Sequence, residues 1–378
     1  MDTTRRMPAQ VFPPGEFIRE ELEARDWTQA DLAAILNKPL PAVNEIITGK
    51  KAITPETAQS LGDAFGVGPE FWLNLENAYR LSLATPSDAD VGKRAHLYSV
   101  APIKDLIRRR WIAQCNDVRE LESNLLAFYR VASLNDVEVR QSQIAARKST
   151  SYGSVSPSEL AWYCRVFQMA ESVQVRTYSE QAMRTEGLAE LHRLTTSERE
   201  LRNLPRVLAD FGVRFVIVER LPKLQVDGIA FWLDDSPAIA VTLRADRIDG
   251  LWFTLAHELA HILHHDHTAL DTNLVGKDRE PTDEKPQIEK RADRFASEFL
   301  IPQSEIDKFI LRVRPLYSKV GIIQFANRIG VHPGIVVGQL QHRREIGWSH
   351  SREMLVRVRE ELASTAYVDG WGSEPELE

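Results

Sequence analysis

The stretch DGLWFTLAHELAHILHH, residues 249–265, contains His257, Glu258 and His261 in an HExxH arrangement. Its apolar residues recur at helical spacing, so the pattern predicts a helix. Residues four apart on a helix share one face and lie about 6 Å apart along the axis, so two imidazoles so placed can bind one metal ion. Glu258 would project toward a water molecule at that ion and could accept its proton as a general base. The stretch therefore predicts a metal site at which Glu258 could act as a base, in preference to a purely structural pair of histidines.

The third ligand of this site has three candidates. His265 lies about 12 Å along the helix axis from His257, too far to share an ion if the helix is continuous. His267 stands where HExxHxxGxxH sites have their last histidine, but His264 occupies the position of the glycine that lets such chains turn back. Glu289 lies on a later predicted helix, close to its apolar stripe, and would complete a site of two histidines and one glutamate.

Asp293 lies four residues after Glu289, on the same predicted helix face. Its carboxylate could accept a hydrogen bond from His257 and hold that ring in place.

The segment before the HExxH helix predicts a small sheet. The runs RFVIVE (214–219), GIAFWL (228–233) and AIAVTL (238–243) are rich in β-branched and aromatic residues, and a turn at DDSP joins the last two as a hairpin. We expect AIAVTL to be an edge strand to which a substrate strand adds.

The segments after the HExxH helix differ in polarity. Residues 266–287 are polar and punctuated by Pro and Gly, which predicts an exposed loop. Helices are predicted to resume with IEKRADRFASEFLIP, from residue 288, and to continue to about residue 364. The tail DGWGSEPELE, residues 369–378, is predicted to be disordered.

The N-terminal region, residues 15–83, has the pattern of four or five short capped helices. Helices at 28–36 and about 40–48 have helix-turn-helix spacing, with Ala33 and Ile46 as candidate core contacts between them. The following residues up to 213 read as helical without a chemical motif, and we assign them a structural role.

The basic run Arg108, Arg109 and Arg110 is more typical of a solvated helix face than of a phosphate site. Cys115 and Cys164 lie far apart, which favours two buried thiols over a disulfide framework or a thiolate metal site. The chain has a net charge of −7, so any contact with DNA must be local. It has no apolar run of about 20 residues and no signal-peptide pattern, so we expect a cytoplasmic protein that does not contact the membrane.

The sequences AHELAHILHH (256–265) and EKRADRFASEFLIP (289–302) together resemble the ImmA/IrrE zinc metallopeptidases, whose pattern is HExxH followed by ExxA(N/D)xFAxxLLxP. The resemblance covers about residues 205–345, with Ala260 where many members have glycine. It implies Zn²⁺ as the cofactor. The implied roles are zinc ligation by His257, His261 and Glu289, general base catalysis by Glu258, and support of a ligand by Asp293.

The N-terminal region resembles the HigA antitoxin branch of the Xre/Cro helix-turn-helix group over residues 12–83, through TQADLAAIL, NEIITGKKAITPETAQSLGDAFG and PEFWLNLENAYRL. Residues 1–80 hold 8 basic against 12 acidic side chains, so the fold could instead serve dimerisation or protein contact. The candidate DNA contacts are Gln29 to phosphate, Pro41, Ala42, Asn44 and Glu45 to bases, and Lys38, Lys50 and Lys51 as a phosphate stripe.

These observations predict a multidomain, mainly α protein with a small α+β zincin-like domain, whose short sheet packs on the HExxH helix. The predicted parts are a helix-turn-helix domain (1–84), a helical connector (85–204), a metallopeptidase domain (205–345) and a C-terminal helix with a flexible tail (346–378).

The leading functional hypothesis is a zinc endopeptidase that cleaves or regulates a partner Xre-type repressor in a stress, phage or toxin–antitoxin response. The alternative is a non-catalytic, antitoxin-like DNA-binding regulator whose zinc domain is a sensor, and a third is a simple toxin-neutralising protein. Expected partners are the repressor substrate, an operator DNA, a toxin, and a second copy bound through the N-terminal domain. His332 and His342 are available to stabilise an oxyanion, although each fits a surface or packing role better.

Overall fold

The structure is a computed structural model that describes residues 11–84, 89–145, 155–266, 269–272 and 286–369. The chain divides into two compact units, Met1–Ala89 and Asp90–Glu378.

The first unit is a bundle of five helices, as predicted. Thr28 caps the second helix, because its hydroxyl accepts from the Asp31 amide at 3.2 Å and the Asp31 carboxylate accepts from the Thr28 amide at 2.8 Å. The fourth helix ends at Gly66, whose φ of 75° suits a left-handed cap. The bounds are α1 Pro14–Glu23, α2 Gln29–Ile35, α3 Leu40–Ile47, α4 Pro55–Phe65 and α5 Pro69–Leu83.

The core of this bundle is apolar and close-packed around Trp72, which is fully buried. Ala33 and Ile46 are both buried in it, which confirms them as core residues of the α2–α3 pair. Gly15 lets α1 approach α3, because a Cβ there would lie 1.9 Å from the carbonyl oxygen of Ile47. The helix-turn-helix spacing therefore gives the predicted local fold.

The second unit begins with helices that precede its sheet. They are α6 Ala89–Val100, α7 Ile103–Arg108, α8 Val118–Tyr129, α9 Leu134–Ala145, α10 Pro157–Ser172, α11 Glu180–Ala182, a π-helical turn Met183–Gly187, α12 Leu188–Leu194, a 3-10 helix Glu198–Asn203 and α13 Leu204–Asp210.

A five-stranded sheet of order β4-β2-β3-β1-β5 follows. β1 runs parallel to β3 and β5, whereas β2 runs antiparallel to β3 and β4. The strands are β1 Arg214–Val218, β2 Val226–Leu233, β3 Ser236–Val241, β4 Ala269–Thr272 and β5 Tyr367–Asp369.

The predicted hairpin exists as β2 and β3, but the prediction that AIAVTL is an edge strand is wrong. β3 is the central strand, because β1 pairs with its other side. Residues 269–272, predicted as loop, form the edge strand β4 beside β2. Asp369, predicted in the disordered tail, ends β5 and is 7% exposed. Residues 267, 268 and 273–285 of the predicted loop lie outside the described residues, and so does the tail after Asp369.

Both faces of the sheet are covered by helices. Phe215 and Ile217 of β1 belong to the apolar core that includes the HExxH helix, whereas Val216 and Val218 pack with Trp162 of α10 on the other face. Burial on both faces explains why the strands read as continuous apolar runs. The segment predicted as a connector therefore belongs to the same compact unit as the sheet.

The HExxH helix, α14, packs on β2 and β3 and against later helices. The remaining elements are α14 Ile248–Leu263, α15 Gln287–Leu300, α16 Gln303–Val313, α17 Lys319–Ile329, α18 Pro333–His342, a 3-10 helix Arg352–Met354 and α19 Arg359–Ala363. Among the described residues no single helix has the length and apolar character to span a membrane, although α17 and α18, bent by 110°, pass that test as a pair.

Candidate metal centre

α14 is buried along its whole length, and this places the HExxH side chains inside the protein. His257, Glu258 and His261 are each 0% exposed. The Nε2 atoms of the two histidines lie 3.1 Å apart, because residues four apart share a helix face. Burying such groups is costly unless they find partners, so their surroundings determine what they can do.

α15 supplies the third side chain of the cluster. Oε2 of Glu289 lies 3.2 Å from Nε2 of His257, and its Oε1 lies 3.9 Å from Nε2 of His261. The candidate ligand atoms of the three residues all lie within 4.8 Å of one another. Glu289 is only 2% exposed, because Ala292 and Ala296 on the same helix are buried and hold this face against the core.

Each histidine has a carboxylate behind it. Nδ1 of His257 lies 3.1 Å from Oδ1 of Asp293, and Nδ1 of His261 lies 3.1 Å from Oδ2 of Asp266. Arg291 of α15 donates to both oxygens of Asp266, at 2.6 and 2.7 Å. Carboxylates in these positions favour a proton on Nδ1 of each ring, which turns both Nε2 lone pairs toward Glu289.

The geometry of this cluster fits a tetrahedral divalent ion. With metal–ligand bonds near 2.0–2.2 Å, two ligand atoms of a tetrahedron are separated by about 3.3 Å. The observed separations are similar, because Nε2 of His257 lies 3.1 Å from Nε2 of His261 and 3.2 Å from Oε2 of Glu289. Two nitrogen lone pairs and a carboxylate converge on one point, an arrangement that a cation stabilises. Two imidazoles and one carboxylate are a donor set that suits zinc.

Glu258 lies against the sheet on the side of β2. A Cβ atom added at Gly228 would lie 2.6 Å from Oε1 of Glu258 and 2.7 Å from Cγ2 of Thr254. The absence of a side chain at this strand position therefore gives the carboxylate its space. The register of β2 and the sequence of α14 together fix where Glu258 lies.

The other histidines of the opening stretch have different environments. α14 ends at Leu263, and His265, with a φ of 54°, is exposed and pairs with Glu180 at 2.8 Å. His265 also stacks on Trp232, at 5.5 Å between ring centroids. The structure therefore directs His265 away from the metal cluster, and His267 lies outside the described residues.

His332 and His342 have packing roles. Nδ1 of His332 accepts from the Gly334 amide at 3.0 Å and caps α18, and burial lowers the pKa of this imidazole below its ordinary value. His342 lies against the rings of Phe253 and Trp348, with centroid distances of 6.2 and 5.4 Å.

Asp266 was not predicted from the sequence, although Asp293 was. It lies just beyond the end of α14, where helical spacing no longer relates it to His261. The only sequence signal is its position within the cluster of histidines and acids that follows the HExxH motif.

The candidate DNA contacts lie in the first unit, on α2 and α3 and in the turns that follow these helices. The exposed members are Pro41, Asn44, Glu45, Lys50 and Lys51, and the half-buried ones are Gln29, Lys38 and Ala42.

Comparisons with known proteins match two separate parts of the chain. The family model of the IrrE N-terminal-like domain, Peptidase_M78, matches residues 209–341, and a helix-turn-helix model, HTH_3, matches residues 18–72. The HTH-type transcriptional regulator YddM of Escherichia coli K12 is 35% identical over 71 residues, 19% of this chain and 76% of that protein. Virulence-associated protein I of Dichelobacter nodosus is 38% identical over 79 residues, 21% of this chain and 71% of that protein.

Two solved structures are similar over the same N-terminal region. An addiction module antidote protein of a HigA family from Coxiella burnetii is 41% identical, and the match covers 20% of this chain and 83% of that chain with a TM-score of 0.20. The Pseudomonas aeruginosa antitoxin HigA, solved with the higBA promoter, is 35% identical, with 20% and 82% covered and a TM-score of 0.19.

Proposed function

Because the chain belongs to the family of HTH-type transcriptional regulators through its N-terminal unit and carries an IrrE N-terminal-like peptidase-family domain, we propose that it is a zinc-dependent endopeptidase acting on a partner Xre-type repressor. Both resemblances inferred from the sequence are confirmed by these matches. The proposed cleavage and its repressor substrate go beyond them.

The observation that supports the proposal most is the buried cluster of His257, His261 and Glu289 with Glu258 beside it on α14. A zinc ion held by the first three residues would supply Lewis acidity toward a peptide carbonyl. Glu258 takes a proton from the attacking water and passes it to the leaving amine. The Nδ1–H groups of the two histidines donate hydrogen bonds to Asp293 and Asp266, so both rings stay oriented while Glu258 changes its protonation state.

The test is cleavage of purified helix-turn-helix repressors encoded by neighbouring genes, followed by intact mass spectrometry. We expect the zinc-loaded chain to cut one such repressor at a peptide bond, a chelator to stop the reaction, and added zinc to restore it. Cleavage that persists in chelator contradicts the proposal. A zinc-loaded chain that leaves every repressor intact favours the sensor alternative, in which the metal domain regulates a DNA-binding unit.

DNA binding by the N-terminal unit is a separate proposal, favoured by its helix-turn-helix family. Lys50 and Lys51 are exposed just after α3, where they could contact phosphates. We expect Lys50→Ala with Lys51→Ala to weaken operator binding. The slope of the logarithm of the binding constant against the logarithm of the salt concentration should become shallower by about 1.8, since each phosphate contact contributes about 0.9. Gel-shift titrations at several salt concentrations measure this slope.

Arg19→Ala, on the exposed face of α1, is the control for that experiment and should leave the slope unchanged. If no operator-length duplex binds the wild-type chain even at low salt, the unit serves protein contact instead.

A further inference from the structure

A second concave site lies in the same unit, where β1 ends. The residues that follow β1 and the C-terminal end of α7 line an open cavity of about 450 Å³ at the surface. Four cationic side chains line it against a single carboxylate, although the whole chain has a net charge of −7. The cations are Arg108, Arg109, Arg220 and Lys223, and the carboxylate is Glu219.

Arg109 is a fixed part of the cavity wall. Its Nη2 donates to the carbonyl oxygen of Arg220 at 2.9 Å, its Nη1 lies 3.3 Å from Oε2 of Glu219, and its side chain is only 12% exposed. The interpretation of residues 108–110 as a solvated helix face is therefore wrong for Arg109, because the segment after β1 covers it.

The other cations are placed to reach a ligand. Arg108 is 62% exposed and pairs with Asp105 at 2.7 Å, beside the cavity. Arg220 and Lys223 are exposed at its rim. Glu219 in the lining and Asp105 beside it thus pair with Arg109 and Arg108, respectively. The excess positive charge of the cavity is therefore carried by the two rim residues.

We propose that this cavity binds a small phosphorylated molecule of the nucleoside diphosphate class. Its volume falls within the roughly 300–1,000 Å³ of small-molecule sites. Arginine guanidinium groups match phosphate oxygens in fork geometry, and several cations suit more than one phosphate. Pro222, which is exposed in the lining, provides an apolar surface for a ring, and Leu221 beside it is buried in the core below. The site shares no residue with the metal centre, so it extends the proposed function.

The test is isothermal titration calorimetry of the full chain with ADP, and with adenosine as the uncharged probe. We expect one ADP site per chain and binding of adenosine at least about 10-fold weaker, because the phosphates provide the charge-assisted hydrogen bonds. Arg220→Gln with Lys223→Asn should weaken ADP binding by about 10-fold or more. Asparagine is chosen at position 223 because the residue there has a φ of 68°.

Lys104→Gln with Arg312→Gln removes the same charge from exposed positions outside the cavity and should leave ADP affinity within about 2-fold. Glu289→Ala should also leave it unchanged, which separates this site from the metal centre. Equal binding of adenosine, unchanged ADP affinity in the rim variant, or loss of ADP binding in Glu289→Ala would each overturn the proposal. A rim variant that loses affinity for duplex DNA and not for ADP would overturn it as well.

Discussion

Glu258→Gln is expected to lower peptide cleavage by a factor of about 10² or more while the metal stays bound. The substitution keeps the size and hydrogen-bonding shape of a side chain that is 0% exposed and fills the space beside Gly228. It removes the carboxylate that, in the proposed mechanism, takes the proton from water. Because the ligand set excludes Glu258, metal content should not change.

Initial cleavage rates and metal analysis of the same samples measure both quantities. Glu360→Gln, at an exposed position on α19, is the matched control and should behave like the wild type. Wild-type cleavage by Glu258→Gln would show that another group is the base, and loss of the metal would show that Glu258 acts as a ligand.

Glu289→Ala should empty the metal site and abolish cleavage with it. Its carboxylate oxygens lie 3.2 and 3.9 Å from Nε2 of His257 and of His261, so the variant leaves two ligands where three converge. Zinc affinity measured by competition with a chromophoric chelator should fall by at least about 10²-fold, more than for loss of a supporting residue.

Asp293→Ala and Asp266→Ala provide the comparison for that experiment. Each removes a carboxylate that contacts a ligand histidine, at 3.1 Å in both cases, so each should weaken zinc binding by roughly 10- to 100-fold. If either aspartate variant loses more affinity than Glu289→Ala, the third ligand is misassigned.

Local periodicity was sufficient to predict part of the site. His257, Glu258 and His261 share a helix, and helical spacing alone places the two histidines together. Glu289 was also predictable, because its neighbours form an apolar stripe that directs this face of α15 to the core. Asp266 could not be predicted in the same way, since its contact with His261 depends on where α14 ends and on Arg291 of another helix.

The sheet shows the same limit. The strands and the β2–β3 hairpin follow from composition and a short turn, but strand order depends on pairing between distant segments. β1 and β5 are far apart in sequence, and their pairing places Asp369 inside the fold. There its carboxylate accepts from Nε1 of Trp111 at 3.0 Å. The burial of Arg109 likewise arises from the segment after β1, which no local pattern reveals.

Zinc stoichiometry of the wild-type chain tests the central claim most directly. The chain is purified without chelators, supplied with zinc, freed of excess metal and measured by native mass spectrometry. We predict one zinc per folded chain, retained in His267→Ala and lost in Glu289→Ala. A folded wild-type chain that binds no zinc, or a site emptied by His267→Ala and kept by Glu289→Ala, would contradict the assignment of His257, His261 and Glu289 as the metal centre.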